Sequence, residues 1–163
     1  MAVYLAVLLS ILQGISMRGA KILVSLSALA GGATPFEVGV LAAMFAAFPL
    51  LLAVYAGKVS DRIGVTRPIV GGAVMIAIGI AVPLAMSGMA GLVVASALIG
   101  LGHIFFHVSI HNLVGAFGGA EDRTRNFATF ALGASVSAFI GPSLGGFSID
   151  LWGFPATHVL LAV

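Results

Sequence analysis

Cysteine is absent from the 163 residues, and charge nearly so: seven Lys or Arg and five Asp or Glu make up 7% of the chain. Without cysteine there are no disulfides, thiolate metal ligands or cysteine nucleophiles. Without charge there is no water-soluble domain, since such domains carry about 25% charged residues. Hydrophobic residues instead make 61% of the chain. Outside 57–67 and 121–125 the only charged residues are Arg18, Lys21, Glu37 and Asp150. The few cations that lift the net charge to +2 sit mostly in loops and form no nucleic-acid surface. No glycine-rich phosphate loop is present, which argues against an ATP-driven pump. The opening Met1-Ala-Val-Tyr lacks the basic region of a signal peptide, so it reads as the start of a membrane span.

The apolar runs are continuous and do not alternate as barrel strands would, so the expected fold is an all-α membrane protein. Between Arg67 and Glu121 lie 53 residues without Asp, Glu, Lys or Arg. A crossing needs about 20 residues, so this run holds two helices joined at Ser87-Gly-Met-Ala-Gly91. Upstream, Gly31-Gly-Ala-Thr-Pro35 marks a turn and a helix start, with Thr34 as cap and Pro35 in the first helical position. One bundle is expected over 1–163, with spans near 4–30, 36–57, 68–87, 91–118 and 124–150 and a partial sixth from Pro155. The apolar run at His158–Val163 is too short to cross, so the chain reads as cut off within that sixth span.

Short cytoplasmic loops collect Lys and Arg. Lys58, Arg62 and Arg67 follow the second span, Arg123 and Arg125 follow the fourth, and the other loops hold no cation. The N-terminus and loops 58–67 and 119–125 are therefore expected in the cytoplasm.

Two polar groupings interrupt the spans. Arg18 and Lys21 fall near the middle of the first, where a cation costs about 3 kcal/mol on the lenient insertion scale. Three residues apart, they share a helix face. They either snorkel to an interface or face a cavity together with Gln13, one turn and a residue before Arg18. No acid lies inside a span, so the partner of a cavity pair would be an anionic substrate or a carboxylate outside this chain. In the fourth span His103, His107 and His111 repeat every four residues and form one stripe. Three readings stay open for it: hydrogen-bonded packing, proton transfer near neutrality, or metal binding. Asn112 points away from the stripe, Phe105 and Phe106 read as packing or lipid-facing residues, and His158 reads as lying near an outer surface.

The segment Gly57-Lys-Val-Ser-Asp-Arg-Ile-Gly-Val-Thr-Arg67 reads as a glycine-bounded loop in water. Its Gly57, Asp61, Arg62, Gly64 and Arg67 resemble the signature loop between the second and third helices of the major facilitator superfamily. Val65 and Thr66 stand where that family commonly has basic residues. Gly133 and Gly141-Pro142-Ser-Leu-Gly145-Gly146 are similar to the family's antiporter motif, although Gly141-x-x-x-Gly145 alone also serves ordinary helix packing. Ser96 stands where many family antiporters place a buried arginine, which counts against proton antiport by that residue.

The resemblance implies the N-terminal half of a secondary active transporter, and no enzyme. Such a protein moves a small, here anionic, solute by alternating access, with proton-coupled efflux or antiport as the form the motif favours. No cofactor is implied. The implied partners are the lipid bilayer and a second six-helix half, and the implied location is a bacterial inner (plasma) membrane. In the family the Gly57–Arg67 loop steadies one conformational state. The competing reading is a polytopic membrane metal or redox protein built on the histidine stripe; all three stripe residues share one helix, whereas two axial haem ligands need facing helices.

Overall fold

Long apolar runs with few breakers must satisfy their backbone groups internally, and helices do so within one segment. The computed structural model describes residues 2–117 and 120–162, with side chains from Tyr4 to Phe117 and from Asp122 to Ala162. The expected features at Gly119 and Glu121 lie outside the described residues or side chains. The helices are α1 (Ala2–Ala30), α2 (Pro35–Ile63), α3 (Thr66–Ala85), α4 (Met89–Ala116) and α5 (Ala120–Ala162), and each is long and apolar enough to cross a membrane. No strand occurs among the described residues.

The α1–α2 turn follows from its residues. Gly32 adopts φ 85°, and Thr34 then caps α2. The Glu37 amide donates to Thr34 Oγ1 at 3.3 Å while the Thr34 amide donates to the Glu37 carboxylate at 2.7 Å. This reciprocal box satisfies two donors that a helix start leaves free.

One boundary expectation needs correction. The segment 57–67 is not a glycine-bounded loop: α2 continues through Gly57, Lys58, Asp61 and Arg62 to Ile63. A glycine inside a helix costs only about 1 kcal/mol relative to alanine, too little to stop a long helix. Gly64, at φ 81°, is the one that ends it. At the other end of the chain, helical structure continues to Gly153, whose φ of 75° breaks the direction before Phe154. Beyond it the chain doubles back, since both Gly145 and Leu161 lie against Gly19 and the Ser16 hydroxyl donates to the Leu161 carbonyl at 2.6 Å.

The returning segment carries His158 into the interior. It is buried, at 4% exposure, instead of lying near a surface. Its Nδ1 donates to the Ile80 carbonyl at 2.7 Å, next along α3 from the Gly79 carbonyl that Pro83 leaves without its usual helical donor.

Two apolar cores hold the helices. One joins Leu23, Leu41, Phe45, Ile80 and Ile99; the other, toward the far end of α4, joins Ala6, Phe106, Ile110 and Val114. Glycines let backbones meet at the crossings. A β-carbon at Gly72 would lie 2.6 Å from the Gly102 carbonyl oxygen, and one at Gly102 equally close to that of Gly72. Large side chains such as Phe36, Leu50, Leu51 and Phe139 are left on the outside, as a helix facing lipid requires.

Candidate functional site

Chemistry separates three cavities among the described residues better than size does. The largest, about 590 Å³, lies where α1 and α3 end and α2 and α4 begin; Glu37 at its wall is already committed to its cap. A second, about 410 Å³, is lined mainly by Leu9, Leu12, Ile76, Leu144 and Leu161. The third is only about 170 Å³, but Gln13, Arg18, Lys21, His103 and His107 all line it, with Phe130 from α5. Four of the six polar residues that line it, Ser10 included, can carry positive charge, and no described carboxylate lines this cavity.

Helix geometry makes this convergence. Gln13, Arg18 and Lys21 sit on neighbouring turns of α1, facing the α4 stripe of His103 and His107. Gln13 Nε2 lies 3.3 Å from His103 Nδ1 and bridges the two helices. Arg18 reaches back along its own helix, with Nη1 donating to the Gly14 carbonyl at 3.4 Å. Lys21 Nζ stands 5.6 Å from the Phe45 ring centroid, within range of a cation–π contact. Among the described residues the ion pair is Arg125 with Asp122 at 2.9 Å, far from the cavity in sequence and exposed. Arg18 and Lys21 therefore have no carboxylate partner among the described residues.

The stripe divides. The ring centroids of His103 and His107 are 5.1 Å apart, and those of His107 and His111 are 4.4 Å apart. His111 does not line the cavity. It packs edge-on against Phe130 at 4.6 Å and lies 6.0 Å from Phe127, with its Nε2 buried and without a hydrogen-bond partner. No three His, Asp or Glu side chains among the described residues converge to hold a metal ion.

The other sequence candidates lie elsewhere. Lys58, Asp61, Arg62 and Arg67 are exposed around the α2–α3 turn and form no ion pair among the described residues. Gly133, Gly141 and Gly145 all face α1, whereas Gly146 meets open space and takes no part in that packing. Ser96 is buried and donates to the Leu92 carbonyl at 2.8 Å. Asn112 donates to the buried Ser60 hydroxyl at 3.4 Å, tying α4 to α2.

Sequence reasoning missed Gly14 and Ser137, which border Arg18, and Phe130, which closes the cavity beside His111. The four-residue repeat Gly133, Ser137, Gly141, Gly145 was the available signal for Ser137. Nothing local in the sequence marks Phe130.

A search of curated proteins gives no match. The profile of the Major Facilitator Superfamily, however, matches residues 6–163, nearly the whole chain and all five helices. The chain is an integral membrane protein belonging to the Major Facilitator Superfamily, a family of secondary transporters.

Proposed function

We propose that this chain carries a small anionic solute across the membrane by alternating access, coupled to protons. The supporting observation is the cavity that Arg18 and Lys21 line without a described carboxylate. Two cations held in a low-dielectric setting need a counter-charge, and a solute that arrives with one is bound for that reason. Gln13 and His103 offer hydrogen bonds beside the charge, and Phe45 and Phe106 provide apolar wall near by.

The histidines are the coupling groups of this reading. His103 and His107 meet the same cavity, and His111 continues the row toward the end of α4. An imidazole changes charge near neutral pH, so protonation beside Arg18 and Lys21 raises the positive charge offered to the anion. Proton binding that strengthens anion binding moves the two together, so this reading favours symport over the antiport that the Gly141-Pro142 segment resembles.

The cation-rich α2–α3 turn lies on the cytoplasmic side of a plasma membrane, as does the N-terminus. In this reading Asp61, Arg62 and Arg67, exposed and unpaired with other described residues, are available to a second six-helix half. Their contacts with it hold one state of the cycle.

The test is flux in liposomes containing the protein, challenged separately with acetate, benzoate, succinate and inorganic phosphate. Arg18→Ala should lower the flux of the anion that is carried by at least about tenfold, the equivalent of 1.4 kcal/mol, with membrane insertion intact. Equal flux in the variant removes Arg18 from solute binding.

A further inference from the structure

We infer that Gly141 is a positioning residue for Arg18: the bare backbone of α5 at this point sets where the guanidinium lies. The inference deepens the proposed reading of Arg18 as a solute ligand and rests on it for its functional consequence.

Helices α1 and α5 run side by side in the same direction. Ile11 meets Gly133, Gly14 meets Ser137, Arg18 meets Gly141 and Gly19 meets Gly145. At the third of these contacts a β-carbon on Gly141 would lie 2.8 Å from Arg18 Cβ and 2.9 Å from the Ile15 carbonyl oxygen. The Arg18 side chain thus leaves α1 directly onto the Cα of Gly141. Long side chains in a helix turn back toward its N-terminus, and Arg18 does so, with Nη1 3.4 Å from the Gly14 carbonyl. A β-carbon at Gly14 would lie 2.9 Å from that nitrogen and 2.8 Å from Ser137 Oγ. Arg18 is therefore bounded at its root by Gly141 and at its tip by Gly14 and Ser137.

This arrangement differs from packing alone. The contact with the Ile15 carbonyl is backbone, so a methyl at 141 cannot be absorbed by turning a side chain. The root of Arg18 must shift away from α5, and its tip moves with it. Misplacing a binding group by about 1 Å can cost on the order of 10²-fold in rate. Gly145 supplies the contrast, because the three atoms nearest its β-carbon would all belong to the Gly19 backbone, the closest at 3.1 Å. Adding a methyl there disturbs the same seam with no Arg18 side-chain atom among its nearest contacts.

The experiment compares Gly141→Ala with Gly145→Ala in membrane vesicles containing the full protein. The probe is p-hydroxyphenylglyoxal, an arginine reagent, with modification of Arg18 read by peptide mass spectrometry. Arg62, Arg67 and Arg123, all exposed, serve as internal standards. Gly141→Ala should speed modification of Arg18 by about threefold or more and raise KM for the carried anion by about tenfold with kcat little changed, the signature of altered binding. Gly145→Ala should leave the Arg18 rate and KM within about twofold of the parent.

Equal behaviour of the two variants assigns Gly141 to packing and overturns the inference. A faster Arg18 in Gly141→Ala, with flux unchanged both there and in Arg18→Ala, keeps the positioning and removes the solute-ligand reading. Should Gly141→Ala fail to assemble, Gly14→Ala approaches Arg18 from the tip, where the guanidinium nitrogen at 2.9 Å can turn aside while Ser137 Cβ, also at 2.9 Å, must shift. An unchanged Arg18 rate in that variant also overturns the inference.

Discussion

Two seams in this bundle are equally close and differ in what they bring together. At the α3–α4 crossing, Gly72 and Gly102 face each other through backbone, with each carbonyl oxygen 2.6 Å from where the other's β-carbon would stand and the Met75, Ile76 and Phe106 side chains close behind. Along α1–α5, the stripe Gly133, Ser137, Gly141 and Gly145 meets side chains as well: Ile11 and Arg18 press into it, and Leu161 of the returning segment covers Gly19 beside it. Backbone against backbone has no rotamer with which to adjust. The first seam is thus fixed at its one mutual backbone contact, whereas the second carries a charged side chain and can transmit a displacement to it.

The sharpest way to break this contrast is substitution at the two kinds of contact. Gly72→Ala should lower stability by about 3 kcal/mol, the upper range for overpacking, measured as a fall in Tm of the detergent-solubilised protein. Gly133→Ala should cost clearly less, because the Ile11 side chain at 2.9 Å can turn aside. Equal losses would erase the distinction between the seams.

A second test concerns the face that α4 turns toward α1. Replacing His103 and His107 together by Gln keeps polar side chains in the cavity but removes their titration. Facing them are Arg18, Lys21 and Gln13 from α1, with Phe130 from α5 and His111 on the same helix. Anion flux in the parent should rise as pH falls, since each added proton on these rings strengthens attraction for the anion. In the double variant this dependence should flatten severalfold. An unaltered pH profile returns both residues to packing.

The smallest effect is expected where a polar contact joins α4 to α2. Ser60→Ala removes the hydroxyl that Asn112 reaches at 3.4 Å, a long hydrogen bond whose loss should cost no more than about 1 kcal/mol. A larger fall in Tm would show that the α2–α4 seam depends on this pair and not on the close approach at Gly100, where an added β-carbon would lie 3.0 Å from the Phe45 carbonyl oxygen.

Much of the fold was legible because hydrocarbon imposes simple rules. The Thr34–Glu37 start of α2 is set by neighbours in sequence, and the 53 uncharged residues after Arg67 could only be two crossings. The misread boundary at Gly57 has a simple cause. Glycine and single charges near a membrane surface are tolerated within helices, and only the positive φ at Gly64 and Gly153 interrupts them. Sequence cannot say which glycine takes that conformation. His158 was misjudged for a related reason, since its burial depends on the reversal at Gly153 that delivers it to Ile80.

What the amino-acid sequence determined by itself was the solvent, the helices and the faces. Low charge requires lipid, apolar runs of crossing length require helices, and spacings of three and four place Arg18 beside Lys21 and align the three histidines. What the tertiary structure alone decided was which faces meet. Gln13 came to His103, and Gly141 came to Arg18, through contacts between helices tens to more than a hundred positions apart. Periodicity fixes the direction of a side chain about its own helix axis, but only packing fixes what lies opposite it.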